Sequence, residues 1–167
     1  MGRTAVNCRK RILAPWLGAA FLYSLFFFAL LSPLLLLKVQ PVWDALDLAY
    51  PAFVYLSDSL KEGRLPLWDP YTNCGFPFHA DSCVMNPLAI LLGLFLDNGL
   101  LGFILLWVLH WWWGGLGMFA AARFYGATPA GGLVAAATYS LSGFFLGHAE
   151  HTSFVFIAAW LPWIFFL

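Results

Sequence analysis

The chain has 167 residues, of which 62% are apolar, 19% are aromatic and 10% are charged, and its acidic and basic residues balance to a net charge of zero. Soluble globular domains carry about 25% charged residues. The composition therefore excludes an ordinary soluble enzyme and indicates an integral membrane protein. The balanced charge gives no basis for binding nucleic acid.

Apolar runs long enough to cross a bilayer recur along the chain. A hydrocarbon core of about 30 Å needs roughly 20 apolar residues in a helix. The predicted transmembrane helices are residues 12–38, 100–122 and 130–147, and a fourth begins at 153–167. The fourth run stops without a polar flank, so we expect the chain to be the amino-terminal part of a longer protein. Together these runs predict an all-α, polytopic membrane bundle.

The first predicted transmembrane helix follows a basic tail, residues 1–11, and has two interpretations. A cleavable signal peptide has an apolar core of about 7 to 15 residues, whereas this run continues past Pro33 to Leu37. An uncleaved signal anchor is therefore favoured. Pro15 lies near the expected start of the helix, where proline is tolerated, and Pro33 is expected to kink the outer end.

Basic residues determine the predicted orientation, because cytoplasmic flanks of membrane helices retain Lys and Arg. The tail carries Arg3, Arg9, Lys10 and Arg11, and Arg123 begins the turn 123–129. The amino terminus and this turn are therefore predicted to be cytoplasmic, in a multi-pass protein of the cytoplasmic membrane. All acidic residues are then outside: Asp44, Asp47, Asp58, Glu62, Asp69, Asp81, Asp97 and Glu150.

Small residues predict close helix packing in the third transmembrane helix. Two sets lie four positions apart: Gly132, Ala136 and Ser140, and Tyr139, Gly143 and Gly147. Such faces allow another helix to approach closely, so partner helices are expected. His110, in the middle of the second transmembrane helix, is expected to face the bundle and to form an interhelical hydrogen bond.

The predicted outer loop, residues 39–99, contains two short helices. Phe53, Leu56 and Leu60 recur at helical spacing, which predicts an amphipathic helix over 51–62 that lies along the bilayer surface. An apolar run at 88–96 is too short to cross the bilayer and predicts an interfacial or re-entrant half-helix. The intervening prolines predict a stiff, turn-rich loop.

Asp47 is the leading candidate for catalysis at the outer surface. A general base must remove a proton from a reacting hydroxyl, and a carboxylate at a poorly solvated interface can acquire a suitable pKa. Asp44, three residues earlier, is the second candidate. The competing interpretation is that these carboxylates cap the surface helix or stay solvated.

Further polar residues are candidates for substrate binding. Arg64 can hold a phosphate, although juxtamembrane basic residues commonly contact lipid headgroups instead. His148 and His151 lie in the predicted outer turn 148–152, on the same side as Asp47, and can approach the site or carry protons. With Glu150 they can also bind a divalent metal ion, but the spacing is not a recognised zinc pattern, so no metal site is assigned.

The outer loop also carries Cys74 and Cys83. We rank a disulfide between them first, free thiols second, and metal ligation together with His79 and Asp81 last.

Several motifs occur in a recognisable order. They are Asp47-Leu48-Ala49-Tyr50-Pro51, Gly63-Arg64-Leu65-Pro66-Leu67-Trp68-Asp69-Pro70, Cys74-Gly75-Phe76-Pro77, Asn86-Pro87, Leu109-His110, Gly115-Leu116-Gly117-Met118, Tyr139-Ser140-Leu141-Ser142-Gly143-Phe144, His151, and Ala159-Trp160-Leu161-Pro162. This order resembles the amino-terminal part of the bacterial YfhO-like membrane proteins, over about residues 44–167. That family is similar to the GT-C glycosyltransferases, which take a sugar from a polyprenyl-phosphate carrier at the outer face of the cytoplasmic membrane.

The resemblance implies an enzyme that requires further transmembrane helices beyond this chain. It matches Asp47 to the acidic residue of the first outer loop that GT-C enzymes use in catalysis. Trp68 lies in a matched motif and is expected to contact the substrate. The alternative is a non-catalytic membrane component, such as a transporter or assembly subunit, whose outer loop binds a partner. No P-loop is present in the sequence, so direct use of a nucleotide is not expected.

Overall fold

Helices make up most of the chain in the computed structural model, which describes residues 2–78 and 85–166, with side chains from residue 16 to residue 165 in those ranges. The helices are α1 (Gly2–Leu30), α2 (Ser32–Leu35), α3 (Tyr50–Lys61), α4 (Pro87–Phe95), α5 (Gly99–Phe124), α6 (Pro129–Ser140), α7 (Gly143–Gly147) and α8 (Thr152–Phe166). A π-helical turn, Ala45–Ala49, precedes α3, and the two short strands are β1 (Trp68–Asp69) and β2 (Phe76–Pro77).

Two helical stretches in the described chain are long and apolar enough to cross a membrane. They are Gly99–Phe124 and Pro129–Gly147, while the apolar stretches Trp16–Leu30 and Thr152–Phe165 are shorter. A helix of 26 residues such as α5 is about 39 Å long, which exceeds a hydrocarbon core of about 30 Å. These lengths and compositions indicate association with a membrane.

Helix α5 is the centre of the bundle, and α6 packs antiparallel to it through small residues. Gly132 lies against Phe119 of α5, and Ala136 and Ser140 are buried. The indole N–H of Trp111 donates to the backbone oxygen of Ser140 at 2.8 Å. The predicted packing face formed by Gly132, Ala136 and Ser140 is confirmed.

The second predicted stripe of small residues is wrong in part, because the helix is interrupted at residues 141–142. Gly143 and Gly147 lie in the separate helix α7 and are exposed, with no neighbouring atom of another described residue where a Cβ would sit. Tyr139 alone of this set packs inward, and its hydroxyl donates to the backbone oxygen of Ala158 at 2.7 Å. Serine and glycine are weaker helix formers than alanine, which accounts for the break.

Helix α8 packs along α5 in the same direction as α5. Gly114 lies against the backbone of Ala159, and the imidazole of His110 stacks on Phe156 with ring centroids 4.1 Å apart. His110 is buried in the bundle as expected, but its Nδ1 bonds to the backbone oxygen of Leu106 at 2.8 Å. The bond is therefore within its own helix and not interhelical.

Helix α1 packs antiparallel to α5 through a polar network. The Tyr23 and Ser140 hydroxyls are 2.7 Å apart, and the indole N–H of Trp112 donates to the Ser24 hydroxyl at 3.0 Å. At the opposite end of α5, the guanidinium of Arg123 lies over the ring of Trp16, 4.4 Å from its centroid.

Two predicted limits of the first transmembrane helix differ in the structure. Helix α1 begins at Gly2, so positions predicted to form a tail are helical, and the helix continues through Pro15. The residues from Thr4 to Leu13 include no proline or glycine to stop a helix. The outer end breaks after Leu30, and Pro33 occupies the first turn of α2, in agreement with the predicted distortion at that proline.

Helix α3 agrees closely with the predicted helix 51–62, and its apolar face is covered by other helices of the chain. Phe53 and Leu56 are fully buried. They pack against α4 and the first turns of α5, where Gly93 and Gly102 admit close contact. Helix α3 therefore packs its apolar face on the end of the bundle and exposes a polar face that includes Asp58.

Helix α4 agrees with the predicted half-helix 88–96. The side chain of Asn86 caps its first turn by accepting from the backbone N–H of Ala89 at 2.9 Å. The Ser57 hydroxyl of α3 donates to the backbone oxygen of Gly93 at 2.8 Å. This contact holds α3 and α4 side by side at the start of α5.

The proline-rich loop contains a short antiparallel strand pair, which is a local exception in a mostly helical chain. Trp68 pairs with Pro77, and Asp69 pairs with Phe76. The hydroxyl of Tyr55 in α3 donates to the backbone oxygen of Trp68 at 2.7 Å. Each strand has two residues, which is too short for the alternation of apolar and polar residues to be visible in the sequence.

Candidate functional site

A cleft of about 590 Å³ opens at the end of the bundle where α8 begins. Its walls come from the π-helical turn and the first turn of α3, from the β1–β2 loop, and from the turn between α7 and α8. We call it the Asp47 cleft. Its lining residues are Asp44, Asp47, Leu48, Ala49, Pro51, Ala52, Asp69, Tyr71, Thr72, Asn73, Phe76, Glu150, His151, Thr152 and Ser153.

The π-helical turn presents the two predicted carboxylates. The backbone N–H of Asp47 donates to the backbone oxygen of Trp43 at 2.8 Å, which begins the helical path that continues into α3. Asp44 and Asp47 are both exposed and both line the cleft.

His151 approaches these carboxylates from the α7–α8 turn. Its Nε2 is 3.9 Å from Oδ2 of Asp44, and its Nδ1 is 3.4 Å from Oε1 of Glu150. When protonated, the imidazole therefore lies between two carboxylates. Residues from distant parts of the sequence thus meet in one cleft.

His148 lies behind His151 and outside the set of residues that line the Asp47 cleft. Its ring centroid is 5.3 Å from that of His151, and it also contacts the rings of Phe144 and Phe154. This position lets His148 orient His151 by packing.

Asp69 is a cleft residue that the sequence analysis did not select. Its exposed fraction is 3%, and its Oδ1 accepts from the backbone N–H of Tyr71 at 2.8 Å. A buried carboxylate is uncommon and expensive. The sequence feature that could have identified Asp69 is its position between Trp68 and Pro70 in a rigid, apolar loop.

A second cleft, of about 620 Å³, adjoins the first on the other side of α3, and we call it the Arg64 cleft. Its lining residues are Tyr50, Pro51, Val54, Tyr55, Asp58, Ser59, Glu62, Arg64, Asp69, Tyr71 and Thr72. Nε of Arg64 donates to Oε2 of Glu62 at 2.9 Å, and this hydrogen bond and the charge of Glu62 raise the pKa of Arg64 above its ordinary value. The structure therefore places Arg64 next to the Asp47 cleft and not within it.

Trp68, the remaining predicted substrate-binding residue, lies apart from both sets of lining residues. Its indole covers Gly75, which has a φ of +102°. Trp68 thus supports the turn that leads from β1 into β2.

Replacing Gly75 with alanine is expected to distort this loop. A left-handed backbone costs a non-glycine residue about 1–2 kcal/mol, and the new methyl group would overlap the Trp68 indole, which is 2.8 Å from the Cβ position. Gly63→Ala is a matched control, because Gly63 also has a positive φ, +73°, but faces open space. Thermal unfolding should show a larger loss of stability for Gly75→Ala, and equal losses would contradict the role of Trp68.

The metal and disulfide alternatives considered for the outer segments concern residues that the structure describes only in part. In residues 16–78 and 85–165, no group of three or more His, Cys, Asp or Glu side chains is arranged to hold a metal ion. Cys74 is exposed. Its predicted partner Cys83, and the alternative ligands His79 and Asp81, lie outside the described residues.

Comparisons of the chain with protein-family models, curated proteins and solved structures found no match.

Proposed function

We propose that this chain forms the amino-terminal part of a multi-pass glycosyltransferase in the cytoplasmic membrane. The enzyme would transfer a sugar from a polyprenyl-phosphate carrier to a cell-envelope acceptor at the outer face. The order of sequence motifs, which resembles that of YfhO-like proteins, supports this proposal. The observation that carries it is the convergence of Asp44, Asp47 and His151 in one cleft at the end of a membrane-associated helix bundle.

The distribution of charge supports an orientation in which the cleft faces outward. The described carboxylates lie in segments 44–97 and 148–152, which pack around the start of α5 and the start of α8. Arg123 lies at the far end of α5, where its guanidinium covers Trp16 and donates to the backbone oxygen of Ala127. Because basic flanks are retained in the cytoplasm, the Arg123 end is proposed to be cytoplasmic.

In the proposed reaction Asp47 acts as the general base. Its carboxylate takes the proton from an acceptor hydroxyl while that oxygen forms a bond to the anomeric carbon of the donor sugar. The bond between the anomeric carbon and the phosphate oxygen breaks, and polyprenyl phosphate leaves with the bonding electrons. Attack from the face opposite the leaving group inverts the anomeric configuration.

Asp44 and the two histidines are proposed to act beside Asp47. His151 lies between the carboxylates of Asp44 and Glu150, which hold the imidazole at the edge of the cleft, where it is proposed to contact the substrate. His148 orients His151 through ring packing. Asp44 is therefore a positioning residue for His151 and the second candidate for the base.

Asp47→Asn tests the proposed role of the base. In the protein encoded by the full natural gene, reconstituted with a panel of polyprenyl-phosphate-linked sugars, this variant should transfer sugar about 10²–10⁴ times more slowly than the wild type. Asn keeps the shape of Asp but cannot accept the proton. The matched control is Asp97→Asn, since Asp97 is exposed and belongs to neither set of lining residues.

Two results would count against the assignment. Wild-type turnover by folded Asp47→Asn protein would exclude Asp47 as the base. Lack of transfer by the wild type with every donor in the panel would favour the non-catalytic alternative, a membrane component whose outer loop binds a partner.

A further inference from the structure

We propose that the Arg64 cleft is the subsite for the acceptor, and that it binds a neutral, hydroxyl-rich sugar unit. This inference rests on the proposed glycosyl transfer and adds the substrate class of its second reactant. Three features of the described residues carry it: the lining of the cleft, its charge and its connection to the Asp47 cleft.

The lining combines aromatic faces with hydrogen-bonding groups. Tyr71 is 83% exposed and meets Tyr55 edge-on, with ring centroids 5.8 Å apart. An exposed tyrosine ring offers a flat apolar face to the C–H groups of a sugar ring, and its hydroxyl offers a polar edge. Asp58 is exposed in the same cleft and supplies carboxylate oxygens that can accept hydrogen bonds from sugar hydroxyls.

The charge of the cleft favours a neutral ligand over a phosphate. Asp58, Glu62 and Asp69 line it together with one guanidinium, that of Arg64, which is already paired with Glu62. A phosphate group would meet excess negative charge. A guanidinium has five N–H donors, so Arg64 retains donors for sugar hydroxyls while it stays bonded to Glu62.

The two clefts adjoin, because Pro51, Asp69, Tyr71 and Thr72 line both. Tyr71 therefore lies at their boundary. A sugar that stacks on Tyr71 from the Arg64 cleft would project a hydroxyl past this boundary toward Asp47. Such an arrangement supplies the acceptor to the proposed base from the side opposite His151.

The buried carboxylate of Asp69 gives this boundary a defined shape. Its bond to the backbone N–H of Tyr71 holds the turn that presents the tyrosine ring. Tyr55 ties the same loop to α3 through its bond to the backbone oxygen of Trp68. These hydrogen bonds hold the loop that carries Tyr71 in one conformation. Less conformational entropy is therefore lost when a ligand binds.

Binding of soluble sugars tests the subsite independently of catalysis. The purified full-length protein in detergent should bind at least one member of a panel of neutral oligosaccharides, measured by titration calorimetry. Tyr71→Ala should weaken that binding roughly tenfold, whereas Tyr71→Phe should keep most of it, because the aromatic face remains. Tyr125→Ala is the matched control, since Tyr125 is 73% exposed and follows the distant end of α5.

The outcomes separate this proposal from the proposed reaction. Asp47→Asn should retain oligosaccharide binding while it loses turnover. Wild-type affinity in Tyr71→Ala would overturn the subsite, and so would a lack of binding to every neutral oligosaccharide in the panel. Intact binding by a protein that never transfers sugar would uphold sugar binding in the Arg64 cleft, and it would reject both the catalytic assignment and the role of the bound sugar as an acceptor.

Discussion

Gly115→Ala should strongly destabilise the bundle. A Cβ at this position would lie 1.8 Å from the Tyr23 hydroxyl and 2.3 Å from the Ser140 hydroxyl. The two hydroxyl oxygens are 2.7 Å apart and form a hydrogen bond in the buried region where α1, α5 and α6 meet. Overpacking costs about 1–3 kcal/mol, and loss of the bond between buried hydroxyls adds about 1–3 kcal/mol.

The measurement is the thermal unfolding of the detergent-solubilised protein. Gly18→Ala is the matched control, because Gly18 lies in α1 with no neighbouring atom at its Cβ position, and alanine is the better helix former. That variant should be as stable as the wild type or more stable. The loss of stability caused by Gly115→Ala should be smaller in a Tyr23→Leu background, because leucine is shorter than the tyrosine that fills this space. An unchanged loss would contradict this explanation.

Trp111→Ala should cause the second large loss of stability. Trp111 is 3% exposed, its ring lies parallel to that of Phe145 with centroids 5.7 Å apart, and its N–H donates to the backbone oxygen of Ser140. Replacing a buried tryptophan with alanine costs about 3–5 kcal/mol. Since Phe145 belongs to α7, loss of this contact should also displace the turn that carries His151.

Trp111→Phe separates the contribution of ring packing from that of the hydrogen bond to Ser140. It retains an aromatic ring against Phe145 but leaves the Ser140 carbonyl without its donor, so its stability should fall between those of the wild type and Trp111→Ala. Trp43→Ala is the control, because Trp43 is 73% exposed. If Trp111→Ala and Trp43→Ala had similar stabilities in denaturant titrations of the solubilised protein, the packing role of Trp111 would be wrong.

Local sequence patterns predicted the helices well, because length and apolar content are properties of contiguous residues. The predicted helices 51–62 and 88–96 agree with α3 and α4, and 100–122 lies within α5. The break between α6 and α7 and the short strands were missed. Both depend on a few residues, and neither changes the average hydropathy of its segment.

The candidate site was predicted in part. The spacing of apolar runs placed Asp44, Asp47 and His151 on one side of the bundle, and the structure brings them together in one cleft. The burial of Asp69 was not predicted, since it depends on loop residues folding back against α3. The separation of Arg64 from Asp47 into two adjoining clefts depends on which face of α3 each cleft occupies.

The sequence alone determined that this protein is helical and membrane-associated, because the length and apolar content of its runs do not depend on tertiary contacts. It also determined which segments carry acidic charge. The tertiary structure decided that α3 packs on the bundle, that Tyr71 lines two adjoining clefts and that Gly115 admits no side chain. These features arise from close approach between segments distant in sequence, and such contacts leave no periodic pattern in any one of them.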